Sequence, residues 1–372
     1  MGKKRVLEVA FPALNNSGVP AVIMGIVREL HNDIDFDVLV FRREVGHHEK
    51  EFLSYGGRIH HIDFDRKKSR VRNLCEKLVR PWRLYYETKR ILKEGHYDAI
   101  HCHNGFDSCW CLLAAKKEGI PVRVAHSHAS VNPFEKKRAV VSVYEGISRW
   151  IICRYSTDRV GCSQIAADRL FGDNHSTEII VNAVDLSRFC RDHYPKKQFD
   201  KKKPSFVFIG RLTEQKNPQF IIRLFKAILD DIPNASLTIV GFGPLEDLVN
   251  RSIIEAGIED HVAMLPHSSD VPQILATSDF FLMPSYFEGL PVVLVEAQAM
   301  GVYAFISDTV AQEANLGLCE YITICGGIET WKQRIVSVIN GPELKTIPDS
   351  DTLKNYSWST ISGKYKRIYM RN

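Results

Sequence analysis

The sequence predicts an α/β protein built as two domains around parallel sheets. Short apolar runs alternate with longer amphipathic stretches along the whole chain. Several runs, such as Phe206-Val207-Phe208-Ile209, are apolar at every position, as in strands buried on both faces. The alternation breaks once, in a polar, lysine-rich stretch from Arg188 to Lys203 interrupted by Pro195, and restarts at Ser205. The 372 residues are enough for two domains at roughly 150 residues each.

In the first half the expected strands are Arg5–Ala10, Phe36–Phe41, Arg58–Ile62, Ala99–Cys102, Val122–Ala125, Arg159–Gly161 and Glu178–Val181. In the second half they are Ser205–Ile209, Ser236–Val240, His261–Leu265, Asp279–Met283 and Tyr303–Ser307. Helical crossovers between parallel strands are right-handed. Tyr356, Trp358, Ile361, Tyr365 and Ile368 recur at helical spacing and predict a final amphipathic helix. The expected organisation is a first domain over 1–185, a linker over 186–204, a second domain over 205–352 and the closing helix over 353–372.

Hydrophobic residues at 45%, charged residues at 25% and a net charge of +5 describe a soluble globular protein and give no argument for nucleic acid. Nine cysteines form no CxxC pair, and Cys109-Trp110-Cys111 is too tight for zinc, so free thiols in a reducing cytosol are expected. Val6 to Ala10 is too short for a signal peptide and no run reaches the ~20 apolar residues of a membrane span. A cytoplasmic protein is expected, with any membrane contact peripheral.

The strongest chemical signal is Ser285-Tyr286-Phe287-Glu288-Gly289-Leu290-Pro291, which leads from a buried strand into a helix carrying Glu296. Gly289 permits a tight turn and Pro291 suits the first helical position. Glu288 and the free N–H groups there can hold a sugar, and Glu296 can accept two hydrogen bonds from a ribose diol. The plain alternative makes Glu288 a helix-capping acid and Glu296 a surface residue. A second strand ends in Gly210-Arg211, and Lys216-Asn217-Pro218 opens the next helix. Arg211 and Lys216 can neutralise a diphosphate, or simply form a solvated basic loop capped by Asn217. Gly241-Phe242-Gly243-Pro244 permits close backbone approach, but lacks the third glycine of a dinucleotide fingerprint. Asn15-Asn16-Ser17-Gly18 opens the first helix and can meet phosphate there. His101-Cys102-His103 and His126-Ser127-His128 close two strands. With no glutamate or third histidine at metal spacing, they suit hydrogen bonding to a sugar or acceptor hydroxyl.

On these residues the sequence resembles the family-four retaining nucleotide-sugar glycosyltransferases, with the B-type fold of two Rossmann-like domains facing across a cleft that holds the active site. It is most similar to their bacterial exopolysaccharide and capsule branch. The Glu288/Glu296 pair, Gly210-Arg211 with Lys216-Asn217, Asn182-Ala183-Val184-Asp185 with Phe189, Ala125-His126-Ser127-His128-Ala129 and Gly161-Cys162-Ser163 carry the resemblance. It implies that Arg211 and Lys216 hold the diphosphate. Glu288, Gly289 and Leu290 would hold the donor sugar, Glu296 the ribose, with Gly18 and Gly243 near the phosphates. His128, with Glu288, would be catalytic, with His126 the second match for the active-site histidine. His103 and His126 become acceptor-side candidates, and the closing helix would cross back to the first domain. Ala183 stands where glycine is usual, Ser17-Gly18 where a glycine pair is common, and His267 where glycine is frequent.

The implied reaction moves a hexose-type sugar from a nucleoside diphosphate, UDP-linked by expectation, to a glycan or lipid-linked acceptor. Fixed cations stabilise the leaving diphosphate, so no metal is expected. The rivals are a metal-dependent transferase using Asp35-Phe36-Asp37, Asp63-Phe64-Asp65 or Asp349-Ser350-Asp351, a nucleotide-sugar epimerase of the same fold, and a non-catalytic nucleotide-sugar-binding protein. From Arg66 to Lys93, eleven Lys or Arg face only Glu76 and Glu87, among Trp82, Tyr85 and Tyr86. That segment is expected to dock on an anionic membrane surface, or to be a solvated helix face.

Overall fold

The computed structural model describes the chain except residues 1, 11–12, 16–17, 42–44, 63–69, 133–138, 174–175, 196–197, 266–269, 342–347 and 372, and except the side chains of 70–78. The Asp63-Phe64-Asp65 motif, Asn16, Ser17 and His267 lie outside the described residues, as do the side chains of the basic stretch before Val79. The chain divides into two compact units, Met1–Ala183 with Trp358–Asn372, and Val184–Ser357. The polar stretch 186–204 belongs to the second unit, as does a short helix Ser350–Lys354.

The first unit holds strands β1 (Lys4–Val9), β2 (Ile34–Val40), β3 (Ile59–His61), β4 (Ala99–Cys102), β5 (Val122–Ser127), β6 (Asp158–Gly161) and β7 (Glu178–Ile179). They pair in parallel in the order β3-β2-β1-β4-β5-β6-β7. The second holds β8 (Ser205–Ile209), β9 (Ser236–Val240), β10 (Val262–Leu265), β11 (Phe280–Met283), β12 (Tyr303–Ser307) and β13 (Cys319–Ile322). Their order is β10-β9-β8-β11-β12-β13, again parallel. Each sheet therefore reverses direction of growth once, between β1 and β4 and between β8 and β11. Ligands of open parallel sheets sit outside the carboxyl ends of strands at that switch point. Apolar runs that are buried throughout, such as FFLM in β11, follow from helices covering both faces.

The last helix, Trp358–Tyr369, completes the core of the first unit. Its Ile361, Tyr365, Ile368 and Tyr369 are buried with Val22, Ile23 and Ile26 of the helix Gly18–Leu30. Gly25 sits under Trp358, where an added Cβ would lie 1.9 Å from the indole. Only glycine lets these two helices approach so closely.

Candidate functional site

At the switch point of the second unit, the loops after β8 and β11 are stitched together. Asn217, at the N-cap position with φ 54°, makes no side-chain capping bond and instead donates its amide to the carbonyl of Pro284 at 3.3 Å, which sets aside the plain loop-and-cap alternative. Tyr286 N–H donates to the Gln215 carbonyl at 2.8 Å, and the Gln215 amide donates to the Phe287 carbonyl at 2.9 Å. From the end of β12 and the turn after it, the Ser307 and Thr309 hydroxyls both donate to the Ser285 carbonyl. The result brings Lys216 and Glu288 together, Nζ to Oε1 at 2.7 Å, with Glu288 buried. Arg211 stands exposed at the start of the same loop. Leu290 is buried and Gly289 half-buried beside Glu288.

Pro291 precedes the helix Val292–Ala299 instead of opening it. Glu296, two-thirds of the way along, is half-buried instead of lying on the surface. Burial pushes its carboxyl up to about 7, against the opposing pull of Arg188. Gly241 and Gly243 owe their glycine character to the protein itself. A Cβ on Gly241 would meet the Gly210 carbonyl at 1.9 Å, and one on Gly243 the Leu212 carbonyl at 2.4 Å. Leu212 N–H donates to the Phe242 carbonyl at 3.0 Å, so the turn Gly241–Gly243 props the Arg211 loop.

The switch point of the first unit carries a buried acid–histidine network. Sequence spacing showed no glutamate partner for the histidines, and this expectation is corrected by the sheet register. β1 pairs with β4, placing Glu8 opposite His101, and β4 pairs with β5. Glu8, His101 and His126 are fully buried, His103 nearly so, and His128 half-buried. Among the described residues, His101, His103 and His126 offer ligand atoms within 4.8 Å of one another, close enough for a transition metal.

The hydrogen bonds order this network. Burial alone would raise the Glu8 carboxyl, but the charges and hydrogen bonds of His101 and His103 outweigh it and hold the group at about 2. An ionised carboxylate only accepts. It accepts from the Tyr369 hydroxyl at 3.0 Å and from His103 Nε2–H at 2.8 Å. Burial, then His101, push His103 down to about 4, so its ring is neutral near pH 7 and its Nδ1 is an acceptor. That Nδ1 accepts from His128 Nε2–H at 2.8 Å. His128, held well below its ordinary value by burial and by His103, is left with an Nδ1 lone pair. His126 stacks against His101 and joins its Nε2 at 3.2 Å. Glu8 and Tyr369 are therefore the site residues that motif reading missed. Gly18 opens the helix Gly18–Leu30 with open space where a Cβ would be.

Of the basic stretch expected at 66–93, side chains are described from Val79 onward. Of the described cations from Val79 to Lys93, Arg80 pairs with Asp107 at 2.5 Å, Lys89 with Glu118 at 3.4 Å, and Arg90 with Glu87 and Glu94 at 3.0 Å each. Among the described residues, no helix is long and apolar enough to cross a membrane. Of the Asp-x-Asp motifs in the described residues, Asp37 is committed to Arg5 and Tyr97, and Asp349 caps the helix Ser350–Lys354.

A model of the family "Glycosyltransferase Family 4" matches residues 16–188, and one of "Glycosyl transferases group 1" matches residues 191–346. A Bacillus subtilis (strain 168) protein named as a glycosyltransferase, EpsF, is 28% identical over 353 residues, covering 90% of this chain and 87% of its own. An Escherichia coli enzyme named UDP-Gal:alpha-D-GlcNAc-diphosphoundecaprenol alpha-1,3-galactosyltransferase is 29% identical over 256 residues, 64% of this chain and 65% of its own. HepE of Anabaena, solved in complex with UDP, superposes with a TM-score of 0.75 at 15% identity over 98% of both chains, a likeness of fold.

Proposed function

The chain belongs to family four of the glycosyltransferases and is a sugar-transferring enzyme, and on that premise we propose that it carries a hexose-type sugar from a uridine diphosphate donor, with retention, to a glycan or lipid-linked acceptor of bacterial exopolysaccharide or capsule. The observation that carries this reading is the Lys216–Glu288 pair at 2.7 Å, at the carboxyl ends of adjacent strands. Departure of the diphosphate breaks the bond between the anomeric carbon and its phosphate oxygen and leaves negative charge on that oxygen. A cation already fixed beside it stabilises the charge without reorganisation. Lys216 fits that role, with Arg211 as the second cation and the turn Gly241–Gly243 supporting their loop. Glu288 orients Lys216 and, with the Gly289 and Leu290 backbone, holds the sugar, while Glu296 takes the ribose diol.

On the other unit, the His128 Nδ1 lone pair suits an acceptor or sugar hydroxyl, a donor that would complete the network begun at Glu8. The reaction as proposed needs no divalent metal, because the diphosphate meets protein cations. The first unit is also proposed to meet an anionic membrane through 66–93, where a lipid-linked acceptor would lie. The E. coli relative, whose acceptor is named as a diphosphoundecaprenol lipid, supports that part of the reading.

The test is turnover of UDP-hexoses, read as UDP release in the presence of acceptor, in Lys216→Ala, Arg211→Ala and Glu288→Ala. Removal of one charge-stabilising group in such a site costs roughly 10²–10³ in kcat. Unchanged kcat in all three variants would refute the donor site.

A further inference from the structure

The helix Ala139–Tyr155 in the first unit turns an apolar stripe to solvent. Val140, Val143, Ile147 and Trp150 are 80%, 61%, 55% and 64% exposed. At 100° per residue they fall within about 80° of one another, over roughly 15 Å of helix. Isolated exposed apolar residues are ordinary, but a stripe of four large ones is a contact surface. The chemistry of the face is specific. The helix has one acid, Glu145, which is half-buried and turned to Arg169 at 2.6 Å. The exposed charge on this helix is Arg154, one turn beyond Trp150.

A second stripe lies nearby. Val79, Trp82 and Tyr86 of the helix Arg70–Gly95 are 49%, 59% and 60% exposed, at the same three- and four-residue spacing, with Arg83 exposed among them. Asp107 ties the two helices together, accepting from the Tyr144 hydroxyl at 2.7 Å and pairing with Arg80 at 2.5 Å. Each stripe carries an indole ring with an exposed arginine, Trp150 with Arg154 and Trp82 with Arg83. Hydrocarbon flanked by Trp, Tyr and Arg is the composition of a surface that enters the interfacial region of a bilayer.

We propose that the stripe Val140, Val143, Ile147 and Trp150 inserts into the outer hydrocarbon of a lipid bilayer, with the Trp82–Tyr86 face beside it, so that apolar contact and not the basic segment carries most of the attachment. This rests on the lipid-linked acceptor proposed above, and it replaces charge at 66–93 by apolar insertion as the main attachment. Among the described cations of that segment, Arg80, Lys89 and Arg90 are already paired with acids.

The experiment is co-sedimentation of the full chain with phosphatidylcholine vesicles and with the same vesicles containing phosphatidylglycerol. It compares the wild type, Val143→Ser/Ile147→Ser, and a charge reversal at Arg83 and Lys93. Both serine sites are exposed, and circular dichroism checks that the fold is kept. The wild type is expected to bind both vesicles and to stay bound at about 0.5 M NaCl, where screening reaches only a few ångströms. The serine variant is expected to lose at least roughly tenfold in partitioning, since two aliphatic contacts are removed. UDP release with a soluble acceptor should be unchanged in that variant, so loss of vesicle binding is separable from failure of the transferase site. Binding that persists in the serine variant overturns the proposal. So does binding abolished by salt or by the charge reversal alone, which returns the attachment to the basic segment. A wild-type dimer in sedimentation velocity that the serine variant abolishes, with no vesicle binding, assigns the stripe to a second copy and also overturns it.

Discussion

Replacing Glu8 by Gln tests whether the buried network is held by charge or only by shape. The two side chains have the same size, so packing is retained while the anion is removed. In the folded unit the Glu8 carboxyl is at about 2, against 4.5 for the unperturbed group. Each pH unit between those two values is worth about 1.4 kcal/mol, so the ionised form contributes roughly 3 kcal/mol to folding at neutral pH. Because the folded value is the lower one, that contribution is complete above about 4.5 and is lost as the pH falls toward 2. Glu8→Gln should therefore melt roughly 6–12 °C below wild type at pH 7, given 2–4 °C per kcal/mol for a unit of about 200 residues. Thermal denaturation followed by circular dichroism from pH 7 down to 4 should show the gap constant to about pH 5 and then narrowing. Wild type itself should weaken from pH 6.5 downward, because unfolded His103 takes a proton there and folded His103 resists until about 4. A gap that is absent at pH 7, or that stays constant down to pH 4, would refute the assignment of an ionised Glu8.

Gly25→Ala drives a methyl group into the Trp358 indole, and overpacking of this kind costs about 1–3 kcal/mol, so the melting temperature should drop. Trp358→Leu in the same chain should restore much of it, and no change in the single variant would mean the two helices do not meet. Donor affinity should rise between pH 6 and 8, since Glu296 near 7 must ionise to accept two hydroxyls. In Glu296→Gln that slope should disappear, and a pH-independent wild type would remove Glu296 from the ribose. Activity should survive exhaustive chelation by EDTA; complete loss, restored by magnesium or manganese, would show that protein cations do not suffice.

Much of this organisation is legible in the sequence. Among the described residues, twelve of the thirteen strands overlap stretches expected from the sequence. The exception, Cys319–Ile322, reads CEYI, buries only Ile322 and lies at the sheet edge beside β12. The loops at Gly210 and Glu288 are visible because a strand end, a glycine and a proline fall close together. The hydrogen bonds that lock them are not, since they join residues about 70 positions apart. Glu8 is the clearest case of hidden meaning. In KRVLEV it looks like a polar interruption of a strand. Its role depends on β4, and on Tyr369, which is 361 positions away. Hydrophobic spacing in Ala139–Tyr155 is equally silent, because a 3.6-residue period is the same whether the face meets protein or lipid.

The placement of Trp358–Tyr369 has a consequence for how the protein is made. Synthesis delivers the first unit's sheet early, but Ile361, Tyr365, Ile368 and Tyr369 belong to the same core. After Ala183 the ribosome must add about 190 more residues, which takes roughly 10–40 s at 5–20 residues per second. Throughout that interval the groove at Gly25 is empty, the Glu8 carboxylate lacks its tyrosine, and the outer side of Gly18–Leu30 is uncovered. Meanwhile Val184–Ser357 emerges with all of its own strands, β8 to β13, before the last helix is made. The half of the enzyme that is translated first is thus the half that is finished last. The nascent chain would be most exposed to chaperones and proteases at the surface its final helix will cover.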